Sequence, residues 1–174
     1  MFSDPGKNVK QFGLREGMYV ADLGAGSGYY SIAAAKIVGN QGKVYAVEIQ
    51  NELLYTIKKE ATLAGVLNIE ILWADVEKPN GTKIKDASMD AVIASNILFQ
   101  VEDRGQFVRE VYRILKPKGR ILLVDWSDSF GNTGPIDDHV VKEAKARDLF
   151  EKSGFAFQQM IDAGSHHYGM IFIK

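Results

Sequence analysis

The chain contains no cysteine. That absence excludes disulfides, thiolate metal sites and any mechanism built on a cysteine nucleophile. It also has no apolar run near the roughly 18 residues that a membrane-crossing helix needs. Its opening stretch, MFSDPGKNVK, has neither the apolar region of a secretory signal nor an Arg-rich amphipathic pattern, so a cytoplasmic location without membrane association is expected. An excess of one charge is missing too. The 21 basic and 22 acidic residues are interspersed and give a net charge of −1, which implies no global attraction to nucleic acid or anionic lipid. No repeat, low-complexity tract or linker interrupts the chain. What remains is 174 residues, 46% of them hydrophobic, enough for one core and too few for two ordinary domains. A single domain over residues 1–174 is expected, with residues 1–13 as an N-terminal helical segment placed to act as a lid.

Strand and helix signals alternate. Asp4 before Pro5 is an N-cap followed by proline at the first helical position, and Gly13 suits the residue after the helix. Met18 to Ala21 is a continuous apolar strand, followed after a glycine turn by a helix over Tyr29 to Val38. Lys43 to Val47 forms strand two, ending at Glu48. A helix over Asn51 to Ala64 and a third strand, Ile69 to Trp73, follow, the latter leading to Asp75. Val76 to Ser88 is polar, contains Pro79-Asn80-Gly81 and reads as loop. Strand four spans Met89 to Ala94. Phe107, Val108, Val111, Ile114 and Leu115 have helical spacing, and Pro117 with Gly119 ends that helix. Arg120 to Asp125 is strand five, and the aperiodic stretch Trp126 to Ile136 is loop. Asp137 or Asp138 caps a helix running to Ser153. Strands near 155–161 and 168–173 form an antiparallel hairpin. Apolar strands alternating with helices give a parallel sheet covered on both faces, whose ligands sit beyond the carboxyl ends of its strands.

Those ends converge on one chemistry. Val20-Ala21-Asp22-Leu23-Gly24-Ala25-Gly26-Ser27-Gly28 runs from a strand through a glycine turn into a helix, and such a turn lets a ligand approach the backbone closely. Asp22, Glu48 and Asp75 then end three successive strands. Gathered in one crevice for purely structural reasons they would repel one another, so they fit a ligand rich in hydroxyl and amino donors. Glu48, twenty residues beyond Gly28, stands where nucleoside-binding sheets place a carboxylate for the ribose hydroxyls. A dinucleotide fits poorly: three residues after Gly26 stands Tyr29 where that fingerprint needs glycine, and Asp22 opposes a pyrophosphate while favouring an amino group.

VADLGAGSGYYS at 20–31 resembles the first motif of class I S-adenosylmethionine-dependent methyltransferases, and VYAVEI at 44–49 resembles their acidic second-strand end. IEILWADV at 69–76, DAVIASNILFQ at 90–100 and RILKPKGRILLVDW at 113–126 resemble the later motifs in order and spacing; the set is most similar to the ubiquinone/menaquinone-methyltransferase-like group. The resemblance implies an α/β fold, a three-layer α/β/α Rossmann-like sandwich with a seven-stranded, mostly parallel sheet in the order 3-2-1-4-5-7-6 and strand 7 antiparallel. It implies S-adenosyl-L-methionine as cofactor. Gly24, Ala25, Gly26 and Gly28 would pack under its methionine part, Asp22 would hold the turn and the amino group, and Glu48 would accept from the ribose. Asp75 would accept from the adenine amino group between walls of Ile49, Val76 and Ile97, while Ser95 and Asn96 would border the methyl donor.

The reaction expected is methyl transfer to an acceptor that is a small molecule rather than RNA or protein. Asn96, Asp125 and Trp126 are the candidate catalytic residues, with Phe99 and Gln100 as further substrate contacts; no metal is expected. His166 and His167 adjoin the last strand, where an exposed hairpin is the simpler reading of both. Without cysteine the chain cannot form the thiolate adduct used at C5 of cytosine. Ser95-Asn96-Ile97-Leu98 is not the Asn/Asp-Pro-Pro-Tyr/Phe motif of enzymes that methylate amide or base nitrogens. The alternatives are an NAD(P)-dependent oxidoreductase and a nucleoside-cofactor-binding module without catalysis.

Overall fold

In the computed structural model, which describes residues 3–131 and 134–174, seven strands form one sheet in the order β3-β2-β1-β4-β5-β7-β6. Residues 1–2 of the expected N-terminal segment and 132–133 of the expected 126–136 loop lie outside the described residues. The elements run α1 (Pro5–Phe12), β1 (Tyr19–Leu23), α2 (Tyr29–Val38), β2 (Lys43–Glu48), α3 (Asn51–Leu63), β3 (Ile69–Trp73), β4 (Met89–Ser95), α4 (Arg104–Ile114), β5 (Leu115–Trp126), α5 (Glu143–Lys152), β6 (Ala156–Ile161) and β7 (His167–Ile173). The first five strands pair in parallel, and β7 runs antiparallel between β5 and β6. The expected sheet order and the reversed last strand are both present.

β1 explains the layering. Its side chains alternate, so Val20 packs with Val9 and Phe12 of α1 and Ala34 and Val38 of α2 on one face. Ala21 and Leu23 face the opposite layer, where Phe107 and Val111 of α4 and Phe150 of α5 close the second core. The two layers bury the inner strands β1 and β4, as expected for a parallel sheet, while the edge strands β3 and β6 hold no fully buried residue. The caps of α1 are as the sequence implies: Asp4 accepts from the Lys7 amide at 3.1 Å, and Gly13 ends the helix at φ 71°.

Two boundaries differ by more than two residues. β5 starts at Leu115, not Arg120, because Leu115 pairs with Met89 before the register shifts. The helix expected from Asp137 or Asp138 begins only at Glu143, after a single 3-10 turn over Asp137–His139. Tertiary contacts override the cap signal there: Val141 is buried, and its carbonyl accepts from the Tyr168 hydroxyl at 2.9 Å. That anchor holds the chain extended just where the helix would otherwise continue.

Two connections carry site residues to the carboxyl edge. Asn80 and Thr82 amides donate to the buried Glu110 carboxylate, which Arg113 also bridges, fixing the long loop after β3. Glu77 of that loop accepts from the Glu102 and Asp103 amides at 2.8 and 3.0 Å, which joins the stretch after Asp75 to the start of α4.

Candidate active site

At the carboxyl edge β1, β2, β3 and β4 open into a cavity of about 910 Å3. This lies toward the upper end of the ~300–1,000 Å3 usual for small-molecule sites. Asp22, Gly24, Ala25, Gly26, Glu48, Ile49, Asp75, Val76, Ser95, Asn96 and Ile97 all line it, as does Gln100. The structure therefore brings together every expected cofactor residue except Gly28.

The glycine turn has two kinds of position. Gly26, at φ 55°, has nothing within 4 Å of where a Cβ would project, so its backbone face is open to a ligand. Gly28, at φ 86°, is the N-cap of α2, and a Cβ there would meet Ile57 of α3 at 3.2 Å. Gly28 allows the positive φ and the close packing of α2 on α3, and it does not line the cavity. Gly24 is intermediate, on the cavity wall but with a Cβ position 2.5 Å from the Ile97 side chain.

The three carboxylates have different environments. Asp22 is 1% exposed, accepts from the Ser31 hydroxyl at 2.6 Å, and is pushed up to about 7 chiefly by burial, with the nearby Glu48 charge adding to the rise. Glu48 accepts from Gly26 through one oxygen at 2.9 Å and from the Ile49 and Gln50 amides through the other, at 2.9 and 3.0 Å. Three of roughly four acceptor positions on that carboxylate are therefore used within the chain. Glu48 fastens the glycine turn to the end of β2 and keeps limited capacity for a hydroxyl. Asp75 accepts from the Glu77 amide at 3.0 Å through one oxygen, pairs with Lys78 at 3.3 Å through the other, and is a lining residue of the cavity.

Asn96 is the unusual residue of the fourth strand end. It has φ 54°, uncommon for a side-chain-bearing residue, and its Oδ1 is buried with no hydrogen-bond partner among the described residues. Gln100, one turn on, donates to the Asn96 carbonyl at 2.8 Å. Strain and an orphaned acceptor coincide on the cavity wall.

Two expected catalytic residues are elsewhere. Asp125 is fully buried; its oxygens accept from the Leu98 and Trp126 amides, each at 2.8 Å, and burial raises it to about 6. It is absent from the cavity wall. Its strand-end position is correct, but its side chain turns inward and clamps the turn after β4. Trp126 is also off the cavity wall: its ring packs under Gly134 and against His167 at 4.3 Å between centroids. Phe99 is half-buried away from the wall. His166 bonds to Asp128 through Nδ1 at 2.6 Å, and burial lowers His167.

The α2 part of the remaining wall was not foreseen, whereas α1 belongs to the N-terminal segment expected as a lid. Tyr29, Tyr30, Ala33, Lys36 and Ile37 of α2 line the cavity, as do Pro5, Gly6 and Lys10 of α1. A usable signal existed in YYSIAAAKIV, a helix sequence with almost no polar face despite its place at the protein surface.

A model of the family described as methyltransferase domain matches residues 14–166. The chain belongs to the class I S-adenosylmethionine-dependent methyltransferases. It is 31% identical over 159 residues to the ubiquinone/menaquinone biosynthesis C-methyltransferase of Vibrio campbellii, an alignment covering 90% of this chain and 57% of that protein. The Haemophilus ducreyi protein of the same name is 33% identical over 116 residues, covering 66% of this chain and 44% of the relative. The chain thus spans about half the length of the curated relatives it matches. Among solved structures, a SAM-dependent methyltransferase from Aquifex aeolicus aligns with a TM-score of 0.88 at 28% identity, over 99% of this chain and 90% of that one.

Membership of these methyltransferases sets aside the NAD(P)-dependent alternative and supplies S-adenosylmethionine as the cofactor. The donor set fits that molecule. Gly26 presents open backbone and, among the described residues, the Asn96 oxygen lacks a donor and the buried Asp22 carboxylate has no ion-pair partner. An ammonium group answers the last two needs at once.

Proposed function

We propose that this methyltransferase transfers a methyl group to a small organic acceptor. The reading rests on one observation above the others: the cavity lined by Gly26, Asp22 and Asn96 is lined also by Tyr30, Ala33 and Ile37 of α2, so cofactor and acceptor can share one continuous space. The relatives are named for C-methylation in ubiquinone and menaquinone biosynthesis, which supports a small acceptor over a polymer.

In this reading Asp22 and Asn96 hold the amino end of the cofactor, and Glu48 accepts from its ribose. Asp75 accepts from the adenine amino group, with Ile49, Val76 and Ile97 against the ring. Bound S-adenosylmethionine supplies an already activated methyl group on a sulfonium. The chain's own work is to hold an acceptor nucleophile in line with it and keep water out. Asp125 acts at one remove, fixing the 97–98 turn that carries Ile97 to the cavity, and is a positioning residue.

The test is transfer of label from methyl-tritiated S-adenosylmethionine in a cell extract, followed by separation of small molecules, RNA and protein. Label in the organic-soluble small-molecule fraction is expected. Label only in RNA or protein would refute the small acceptor, and tight cofactor binding with no label in any fraction would favour a binding module without catalysis.

A further inference from the structure

The cavity has more wall than the cofactor contacts assigned above use. Past Tyr29 and Tyr30 it extends as a groove between α1 and α2, with Pro5 and Gly6 on one side and Ala33 and Ile37 on the other. The groove follows from the sequence of α2. Ala34, Ala35 and Val38 are buried against the sheet, while Ala33 and Ile37, on the adjoining face, stay partly uncovered. A surface helix normally turns polar residues outward at such positions.

Two exposed lysines, Lys10 of α1 and Lys36 of α2, line the same groove. Neither has a carboxylate partner among the described residues, whereas Lys7, on the same helix as Lys10, is paired with Asp162 at 2.5 Å. An apolar track bordered by two unneutralised cations is complementary to one kind of molecule. A wholly neutral chain would leave both charges unanswered, and a free small anion would not use Ala33 and Ile37.

We propose that the α1–α2 groove binds the acceptor as a single-chain anionic amphiphile, its apolar body along Ala33 and Ile37 and its anionic group at Lys10 and Lys36. The proposal rests on the methyltransferase reading, since the groove opens from the cofactor cavity at Tyr29. The anion is a carboxylate or a phosphate, and the opposite end of the molecule points toward the cofactor cavity.

Isothermal titration of the full chain, saturated with S-adenosylhomocysteine, with decanoate, decyl phosphate and octanoate tests this. Decanoate or decyl phosphate should bind saturably, the tighter of the two identifying the head group. Octanoate should bind at least about 4-fold more weakly than decanoate, because a fully buried methylene is worth ~4-fold and two half-buried ones give the same factor. In Lys10→Ala/Lys36→Ala, decanoate affinity should fall by about tenfold, the loss of charge-assisted contacts, while S-adenosylhomocysteine affinity stays level. Ile37→Glu should abolish decanoate binding. Normal S-adenosylhomocysteine binding with no amphiphile binding, or with binding indifferent to chain length and to the lysines, would overturn the proposal alone. So would binding to anionic phosphatidylglycerol vesicles without binding of monomeric amphiphile, which would make the groove a membrane contact. Failure of S-adenosylhomocysteine to bind the unmodified chain would instead overturn the methyltransferase reading beneath it.

Discussion

Replacing Asp22 with asparagine should stabilise the protein without ligand and weaken its grip on the cofactor. Asp22 is 1% exposed, and its carboxyl is raised from 3.8 to about 7, mainly by burial. Keeping the carboxyl protonated costs nothing below pH 4, where folded and unfolded chains both hold the proton. Between pH 4 and 7 the unfolded chain releases it and the folded chain does not, so stability falls as pH rises, and above pH 7 the loss levels off. A shift of about three units at 1.36 kcal/mol each sets a ceiling of roughly 4 kcal/mol. The asparagine side chain would be isosteric, could still accept from Ser31, and would never ionise. The expected outcome is that Asp22→Asn unfolds at about 10 °C higher than the parent at pH 8, by the usual scaling for a chain of this length, and that the difference vanishes by pH 4. Asp125, also raised, titrates in both proteins and cancels from the comparison. The counterpart is binding: S-adenosylhomocysteine affinity at pH 8 should fall by about tenfold to a hundredfold, as for loss of a hydrogen bond to a charged group. Thermal unfolding across pH 4 to 8 with calorimetric titration reads both effects. A variant no more stable than the parent at pH 8, or a difference independent of pH, would refute the reasoning.

Other substitutions separate binding from folding. Glu48→Gln should weaken S-adenosylhomocysteine by about 2 kcal/mol, because the ribose acceptor and the clamp on the Gly26 amide are lost together; an unchanged dissociation constant would remove Glu48 from the ribose. Gly26→Ala should cost only about 1–2 kcal/mol of stability from its left-handed backbone yet lower cofactor affinity by about tenfold or more, since the added methyl enters open cavity. Gly28→Ala should do the reverse, losing stability in a urea titration through strain and the Ile57 contact with little direct effect on the ligand site. Asp125→Ala should lose about 3 kcal/mol in the same titration by leaving the buried Leu98 and Trp126 amides unpaired; a loss below about 1 kcal/mol would mean those amides find other partners.

Strand ends were the most legible feature of this sequence. Asp22, Glu48, Asp75 and Asn96 could be placed on one edge because apolar runs, glycine turns and helical periods each fix where the chain changes direction. Strand-end position does not determine where a side chain points. Asp125 shares that edge but turns inward to meet backbone amides, and Trp126 folds under the following loop, so neither reaches the cavity. The same limit applies to Gly28, whose need for glycine comes from Ile57 of a helix that no local pattern connects to it. The α5 boundary was displaced by one tertiary hydrogen bond, from Tyr168 to the Val141 carbonyl. The groove along α2 lay open in the unusually apolar YYSIAAAKIV, but recognising it as a wall required α1 to be seen beside it.

The central claim is that Asp22, Gly24, Gly26 and Asn96 hold the methionine half of S-adenosylmethionine while Glu48 and Asp75 hold the nucleoside half. A crystal structure of the complex with S-adenosylhomocysteine tests it most directly. The account predicts the ligand amino group within hydrogen-bonding reach of Asp22 or the Asn96 side-chain oxygen, a ribose hydroxyl on Glu48, and adenine against Ile97 with its amino group toward Asp75. A ligand whose ribose leaves Glu48 untouched, or whose amino group lies away from both Asp22 and Asn96, would contradict it.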